Sequence, residues 1–347
     1  MFLEQIGADA RIRECMQPHR AAGLELGRVS FAAHEQYRIF LENGECDASP
    51  AGRLRFDDML PAVGDWVAVR PIDADLAFIE AVLPRAAQFS RRAAGTPVAE
   101  QVIAANVDLA LVVCALDHDF NLRRLERYLV LAAESRAATV VVLNKADLCL
   151  DAAARAEAVR LLAPDLTIVS LSALDSVEPL RPLVRGRTVA LLGSSGAGKS
   201  TIANGLLGEY RQFTQSVRES DSRGRHTTTS RMLLPIPGGG AIVDNPGMRE
   251  LQLWAGRESL DDVFHEIAIL AEQCRFQDCA HGSEPGCAVQ SALAAGSLDT
   301  ERWASYLKLA GELRHRATEQ DVHAKAAEKK RWKAIHKEMR HHPKYRR

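Results

Sequence analysis

The sequence of 347 residues contains no apolar run long enough to cross a membrane. A transmembrane helix needs about 20 successive apolar residues, whereas the longest apolar run, from Leu109 to Leu116, has the length of a strand. The first residues mix Glu, Asp and Arg, which is not the composition of a signal peptide. We therefore expect a cytoplasmic protein with no membrane partner.

The sequence also lacks the even set of cysteines that builds a disulfide framework, because it has seven. Three of them, Cys274, Cys279 and Cys287, fall within 14 residues. In a reducing compartment such a cluster suggests a metal. Cys114 lies inside the longest apolar run, where a buried structural thiol is the simpler interpretation. The other cysteines show no ligand spacing.

The chain has almost no net charge, since its formal value is −1. The charge is unevenly placed. Residues 322–347 carry ten Lys and Arg against two Asp and Glu, a local +8, so the remainder sums to −9. The basic tail is the predicted partner-facing element, although a charge run can also be a merely solvated face.

Turn signals divide the chain into four parts. An N-terminal arm over 1–25 precedes a barrel over 26–96, for which we predict the short strands GRVSFA, QYRIFL, GRLRF, DWVAVRPI and AFIEAVLP. An OB-type barrel fits these strands, and an SH3-like barrel stays open. Over 97–257 apolar strands alternate with helices, near 122–136 and 152–162, which predicts a parallel α/β sheet. A mostly helical part over 258–347 carries the cysteine cluster.

A glycine-rich segment follows the strand VALL and precedes the helical stretch TIANGLLGE, and it matches the G-x-x-x-x-G-K-[ST] pattern. Its backbone N–H groups and the helix start can bind phosphate. Lys199 is expected to bridge the terminal phosphates and to assist catalysis, and Ser200 to bind Mg²⁺. A plain turn before a helix is the alternative. The residues predicted to surround the phosphates are Gly193, Ser194, Ser195, Gly196, Ala197, Gly198, Lys199, Ser200 and Thr201.

A second loop, Asp-Asn-Pro-Gly, follows the apolar strand AIV. Asp244 at the strand end suits a Mg²⁺ ligand acting through water or from the outer shell, and the Gly247 amide can approach the terminal phosphate. Alone this pattern is a common turn. Downstream of a phosphate loop it supports a nucleotide site.

Asn144 begins an Asn-Lys-x-Asp segment at the end of the strand VVVL. The carboxylate of Asp147 can accept hydrogen bonds from the ring N–H and the exocyclic amino group of guanine, a donor pair that adenine lacks. Asn144 and Lys145 would support this loop, with the Lys stem along the base, and Ser172 and Ala173 would offer backbone amides to the base oxygen. Four such residues recur in ordinary loops, but beside a phosphate loop they predict GTP or GDP with Mg²⁺.

The order of these motifs is unusual, because base recognition precedes the phosphate loop. All of these loops lie at the C-terminal edge of one parallel sheet, so moving the chain ends need not move the site. The motifs closely resemble those of the bacterial RsgA/YjeQ family of circularly permuted GTPases. The resemblance covers nearly the whole chain and rests on GDW at 64–66, SRRAAG at 90–95, NKAD, SAL, GSSGAGKST, GRHTTT, DNPGMRE and the cysteine cluster.

The resemblance implies an N-terminal OB-fold, a central circularly permuted P-loop GTPase domain of α/β class and a C-terminal helical zinc-binding domain. It also implies a role in late maturation of the small ribosomal subunit, with GTP hydrolysis stimulated by that subunit. Two residues depart from the family's usual pattern: Ser194 stands where Pro is frequent, and Asn245 where Ser or Thr is usual. Neither departure removes a phosphate or metal ligand.

By the same resemblance, the segment GRHTTT looks like the first switch. One of its threonines would contact Mg²⁺ and the terminal phosphate, and we select Thr228. Met248 stands where many small GTPases have the Gln that orients the attacking water. We predict His226 for that role, because a neutral imidazole can orient water. A surface or RNA-contacting role for His226 is an equal alternative.

Four side chains near the C-terminus, Cys274, Cys279, His281 and Cys287, supply three thiolates and one imidazole. This is the composition of a closed structural Zn²⁺ site. With the resemblance it predicts one Zn²⁺ that supports folding. A chance cluster of buried thiols is the alternative.

Three classes of function compete for these features: a ribosome-activated GTPase, a GTP-regulated adaptor acting on other proteins, and an RNA-binding module with an idle nucleotide site. The intact Lys199, Ser200 and Asp244 argue against the idle site. The barrel and the basic tail, in which Trp332 and Tyr345 are interleaved, argue against the adaptor. We expect a monomer whose barrel and tail contact rRNA of the small subunit.

Overall fold

The computed structural model describes residues 1–33, 36–56, 59–73, 75–92, 100–208, 231–244, 257–282 and 284–318. The chain forms two compact units. The first unit comprises Met1–Ser90 and Val102–Leu251, and it contains both the predicted barrel and the α/β sheet. The second unit comprises Arg91–Gln101 and Gln252–Arg347, and it contains the cysteine cluster.

The first unit begins with two helices and a five-stranded barrel. The helices are α1 (Phe2–Gln5) and α2 (Ala10–Ala21), and the strands are β1 (Glu25–Ala33), β2 (Gln36–Leu41), β3 (Gly44–Pro50), β4 (Trp66–Pro71) and β5 (Leu76–Val82). The antiparallel pairs β1–β2, β2–β3, β4–β5 and β1–β4, with the parallel pair β3–β5, close the ring. Branched side chains such as Val29, Ile39 and Ile79 fill it. This is the OB-type arrangement that the strand pattern predicted.

The prediction for the third strand of the barrel was wrong. The segment GRLRF forms a short helix, α3 (Gly52–Phe56), and the third strand is β3, immediately before it. Its Arg-Leu-Arg-Phe alternation is typical of a strand, yet Leu54 alone of the five residues is buried, while Phe56 is exposed. β3 contains Gly, Asp and Pro, which are depleted in strands. β3 adopts the extended conformation because it pairs with β2 and β5, and this pairing cannot be predicted from its local composition.

A short hairpin, β6 (Gln88–Arg92) and β7 (Glu100–Ala105), leads to the central sheet. Its strands are β8 (Leu109–Ala115), β9 (Ala138–Asn144), β10 (Thr167–Ser170), β11 (Thr188–Leu192), β12 (Arg231–Pro235) and β13 (Ala241–Asp244). The spatial order is β10-β9-β8-β11-β13-β12. The first five are mutually parallel, as predicted, whereas β12 pairs antiparallel with β13.

Within the described residues, four α-helices accompany this sheet: α4 (Leu122–Ser135), α5 (Ala152–Leu162), α6 (Arg181–Val184) and α7 (Lys199–Leu207). Asn121 caps the N-terminus of α4, because its side chain accepts a hydrogen bond from the Arg124 amide. The two helices predicted from periodicity are therefore confirmed to within one residue. A core of Val, Ile and Leu side chains, including Leu111, Val142 and Ile202, lies between the sheet and its helices.

The barrel and the central sheet are continuous, because β1 pairs antiparallel with β12. A buried arginine reinforces this junction. Arg28 donates hydrogen bonds to the Thr188 hydroxyl at 2.6 Å and to the carbonyl oxygens of Ile6 and Gly64, and its guanidinium lies 4.6 Å from the Trp66 ring centre. Burial lowers the pKa of Arg28 to about 10, so it keeps its charge at neutral pH. One side chain thus joins the N-terminal arm, the barrel and β11.

The second unit is helical in its described part beyond the hairpin residues. It contains α8 (Arg257–Val263), α9 (His265–Glu272), α10 (Ala288–Ala294) and a helix whose described residues are 300–318. Arg302 donates to the Glu266 carboxylate at 2.6 Å and lies over the Phe264 ring, while Trp303 and Tyr306 stack at 5.3 Å. Across the described ranges of both units, no helix is long and apolar enough to cross a membrane.

Candidate functional site

The predicted nucleotide-binding segments meet at one edge of the central sheet. β9 ends at Asn144, β10 at Ser170, β11 at Leu192 and β13 at Asp244. These strands are parallel members of one sheet, so Asp244 and the loops that follow β9, β10 and β11 lie at its carboxyl edge, where open α/β sheets bind ligands. The base segment, the Ser-Ala-Leu segment, the phosphate loop and Asp244 are thereby brought together.

Asn144 connects three of these loops. Its side chain is nearly inaccessible, at 3% exposure. The side-chain amide donates to the Ala197 carbonyl in the phosphate loop at 2.9 Å, and its oxygen accepts from the Ala173 amide at 2.9 Å. Gly198 has φ +98°, and a Cβ there would lie 2.0 Å from the Asn144 side-chain nitrogen. The glycine is therefore required by this close contact as well as by its backbone conformation.

The phosphate loop has the geometry of an anion site. Gly193 has φ +140°, and a Cβ there would lie 2.2 Å from the Val113 carbonyl oxygen, so the loop must approach β8 closely. α7 begins at Lys199 after a glycine that offers no capping side chain, which leaves its first N–H groups for a ligand. The Lys199 ammonium donates to the carbonyls of Gly193 and Ser194 at 2.7 and 2.5 Å, and Ser200 is exposed beside it.

Asp147, the predicted guanine-binding residue, lies in a short 3-10 turn, Ala146–Leu148, and is exposed to a ligand. The preceding residue, Lys145, has a left-handed backbone with φ 62°. Its ammonium donates to the Asp117 carboxylate at 2.7 Å. The hydrogen bond from Lys145, followed by that from the Asp119 amide, lowers the pKa of Asp117.

Sequence reasoning missed Asp117 and its neighbour Asp119. Asp119 accepts hydrogen bonds from the Ser194 hydroxyl at 2.6 Å and from Arg124 at 2.6 Å, and these two contacts lower its pKa. The available signal was positional, since both aspartates directly follow a predicted parallel strand. A loop of that kind reaches the ligand-binding edge of the sheet.

Several predicted residues lie outside the described part of the chain. These are His226, Thr228, Gly247, Asn245, Met248, Trp332 and Tyr345. The roles assigned to them stay predictions.

The second unit brings the three cysteines and the histidine into one cluster. The ligand atoms of Cys274, Cys279, His281 and Cys287 all lie within 4.8 Å of one another. The Cys274 and Cys287 sulfurs are 3.8 Å apart, and they lie 3.5 and 3.6 Å from the His281 Nδ1 atom. Tetrahedral Zn²⁺ with ordinary bond lengths needs about 3.8 Å between sulfurs and about 3.5 Å between sulfur and nitrogen. The cluster therefore fits zinc.

Neighbouring groups prepare this cluster for a metal. Cys287 caps the N-terminus of α10, where its sulfur accepts a hydrogen bond from the Gln290 backbone amide at 3.4 Å. Burial raises the pKa of the Cys274 thiol, but the amides of Ala288 and Val289 outweigh it with help from the neighbouring thiols, so the pKa is lowered overall. The Gln290 side chain holds the His281 carbonyl at 2.7 Å. The backbone amides that donate to the cysteine sulfurs favour thiolates, the form of cysteine that binds zinc.

Comparison with known proteins places this arrangement in a family. A family model described as RsgA GTPase matches residues 82–254. The small ribosomal subunit biogenesis GTPase RsgA of Opitutus terrae is 47% identical over 98% of this chain and 97% of its own length. The chain belongs to the RsgA family of GTPases. Membership implies a guanine nucleotide with Mg²⁺ as the ligand, and it confirms the GTPase prediction that the loop residues supported.

Solved structures agree with the family assignment. YjeQ from Thermotoga maritima matches with a TM-score of 0.64 and 27% identity, over 84% of this chain and 98% of that one. YloQ, a circularly permuted GTPase, matches with a TM-score of 0.63 over 84% of this chain and 96% of that one, and at 22% identity it shows the shared fold alone. The permuted α/β fold class predicted from the motif order is therefore confirmed.

Proposed function

We propose that this RsgA-family protein is a GTP-hydrolysing assembly factor that binds the small ribosomal subunit, contacts its rRNA and assists its late maturation. The observation that carries the proposal is a sheet edge where the base segment, the phosphate loop and Asp244 meet, on a chain that aligns over nearly its full length with a small ribosomal subunit biogenesis GTPase. We further propose that hydrolysis is stimulated by the subunit. The protein would act as a monomer, in the cytoplasm where its partner is found.

The residues at the sheet edge have separable tasks in this proposal. Asp147 would select guanine by accepting two hydrogen bonds, and Asn144 would hold the three surrounding loops in register. Lys199 would exchange its contacts with the loop carbonyls for contacts with the terminal phosphates. Its positive charge would then stabilise the negative charge that develops on the phosphate oxygens during phosphoryl transfer.

Mg²⁺ would be held by Ser200 at the start of α7 and by Asp244 at the end of β13, since hydroxyl and carboxylate oxygens suit this ion. When bound, it neutralises phosphate charge. Thr228 and Gly247 would complete the contacts, and His226 would orient the attacking water. One structural Zn²⁺ would be held by the cysteine and histidine cluster, whose spacing matches a closed tetrahedral site.

The deciding experiment measures GTP turnover by the full chain alone and with purified small ribosomal subunits. We expect stimulation of at least about 10-fold, because a partner that supplies a group to the transition state can raise GTPase rates by roughly 10³- to 10⁵-fold. Large subunits and a Lys199→Ala protein serve as controls that should give no stimulation. Equal rates with and without small subunits would favour the adaptor alternative, and failure to bind GTP would favour an idle site.

A further inference from the structure

We propose that the loop over residues 116–121, between β8 and α4, positions both halves of the nucleotide site through two carboxylates. Asp117 would act on the base-binding loop through Lys145, and Asp119 on the phosphate loop through Ser194. Both are positioning residues, since neither is placed here in contact with the nucleotide. The inference rests on the proposed nucleotide binding and adds two residues to it.

The topology explains how one loop can serve both halves. β8 lies between β9, which carries the base segment, and β11, which carries the phosphate loop. The loop after β8 therefore emerges at the middle of the ligand-binding edge, with a base-binding loop on one side and a phosphate-binding loop on the other. Its two acidic side chains, two residues apart, reach in these two directions.

The contact with the base loop is an ion pair. The Lys145 ammonium lies 2.7 Å from the Asp117 carboxylate, and the two side chains are 29% and 14% exposed. A pair that is mostly shielded from water retains more of its attraction than one on the open surface. Because the Lys145 backbone is left-handed, its side chain leaves the chain in an unusual direction, and Asp117 determines where the ammonium end is held.

The contact with the phosphate loop is a hydrogen bond to an ionised group. The Ser194 hydroxyl donates to Asp119 at 2.6 Å, a length typical of a hydroxyl and a carboxylate. Arg124 from α4 donates to the other oxygen of Asp119 at 2.6 Å. Arg124 thus fixes the position of the Asp119 carboxylate, which in turn accepts the hydrogen bond from Ser194, the second residue of the phosphate loop.

The loop that carries both carboxylates is itself fixed. Arg155 from α5 donates to the carbonyls of Leu116 and Asp117 at 3.0 Å each, and its guanidinium lies 5.0 Å from the Phe120 ring centre. At the far end Asn121 caps α4. Because these three contacts restrict the movement of the loop, its carboxylates can keep Lys145 and Ser194 in fixed positions, as supporting residues do in other functional sites.

The two contacts should affect different parts of the ligand. Loss of the Asp117 contact disturbs the loop that recognises the base, so it should weaken GMP and GDP by the same factor. Loss of the Asp119 contact disturbs the loop that binds the β-phosphate, so it should weaken GDP more than GMP. A merely structural role in folding would not separate the two ligands in this way.

The first test is a double-mutant cycle between Asp117→Asn and Lys145→Ala, with GDP and GMP affinities of the full chain measured by competition against a fluorescent GDP. We expect Asp117→Asn alone to weaken both ligands about 5-fold, a loss typical of a partly shielded charged contact. In the Lys145→Ala background it should have no further effect. Asp165→Asn, an exposed change in the same domain, is the control and should leave affinity unaltered.

Additive losses in this cycle would show that Asp117 does not act through Lys145 and would overturn that half of the proposal. Should Asp117→Asn fail to fold, as judged by thermal unfolding, Asp117→Glu tests the same contact. Its longer side chain displaces the ammonium, and unchanged affinity for both ligands would again overturn the inference.

The second test compares Ser194→Ala with Ser194→Thr, which retains a hydroxyl. The alanine protein should lose about 5-fold in GDP affinity with a smaller loss for GMP, and the threonine protein should recover most of it. Equal losses for GDP and GMP, or no loss for either, would overturn the Asp119 half. If the parent chain binds GDP and the variants bind it with the same affinity, only this inference is contradicted. If the parent chain does not bind GDP, the proposed function is contradicted as well.

Discussion

The two candidate sites of the molecule are built in opposite ways. The proposed metal ligands fall within the 14 residues from Cys274 to Cys287, and they lie in short turns and at a helix start. The nucleotide-site residues are spread from Asp117 to Asp244 and meet only because five parallel strands align their ends. The nucleotide site therefore rests on a large hydrophobic core and on its own hydrogen bonds, such as those of Asn144, whereas the cluster would depend chiefly on the proposed zinc.

The largest expected effect follows from removing that metal. Structural zinc contributes about 10–16 kcal/mol of apparent binding free energy to small zinc domains, which is as large as the whole stability of an ordinary domain, about 5–15 kcal/mol. Treatment with a strong chelator, or the Cys279→Ser change, should unfold the second unit and leave the first unit folded. Circular dichroism should show lost helix, metal analysis should show zinc falling from one per chain to none, and GDP should still bind.

Cys149→Ser is the matched control, because Cys149 lies outside the cluster and should retain both zinc and helix. Loss of GDP binding together with zinc would contradict the separation of the two sites. Protein purified without chelator and containing well under one zinc per chain would contradict the metal assignment itself.

The next effect in size concerns charge at the phosphate loop. Lys199→Ala should lower the rate of subunit-stimulated GTP hydrolysis roughly 1,000-fold, comparable to losing one preorganised donor to a transition-state charge. The fold should survive, because the Lys199 ammonium donates to carbonyl oxygens of its own loop and the residue lies outside the core. Single-turnover kinetics measure the loss, and Lys308→Ala, an exposed change in the second unit, should leave the rate unaltered.

A smaller effect is expected at the base. Asp147→Asn replaces a double acceptor by a group that can also donate, so GTP affinity should fall roughly 10- to 100-fold and XTP affinity should rise. Competition binding with GTP and with XTP measures this change in nucleotide preference. Asp165→Asn should change neither affinity. Equal weakening of GTP and XTP would mean that Asp147 supports the loop without reading the base.

The same contrast explains what the sequence could predict. The metal ligands and each nucleotide motif are local patterns, so their residues could be named from spacing and residue type, and the two main helices could be placed from periodicity. The parallel sheet also followed, because its apolar strands alternate with helices. The motif order alone indicated permutation, since all of the loops share one sheet edge.

The errors and omissions have a common physical cause, which is long-range contact. β3 is a strand because of its partners and not because of its composition, and Arg28 reaches three parts of the chain that no spacing rule connects. Asp117 and Asp119 match no motif. They become visible only when strand order puts their loop between β9 and β11.

The smallest expected effect concerns the ionisation of Asp117. Its pKa lies below the ordinary 3.8, chiefly because Lys145 donates a hydrogen bond to the charged form. A carboxylate with a lowered folded-state pKa contributes stability above its unfolded-state pKa and loses that contribution as the pH falls through the folded value. The stability difference between the parent and Asp117→Asn should thus be present at neutral pH and be lost as the pH falls below 3.8 and through the lowered folded-state pKa, which urea unfolding at several pH values would measure. In the Lys145→Ala background the carboxylate ¹³C titration of Asp117 should move back up towards 3.8. An unchanged Asp117 pKa in this background would mean that Lys145 does not stabilise the Asp117 carboxylate. The loop after β8 would then not be coupled to the base-binding loop through this ion pair.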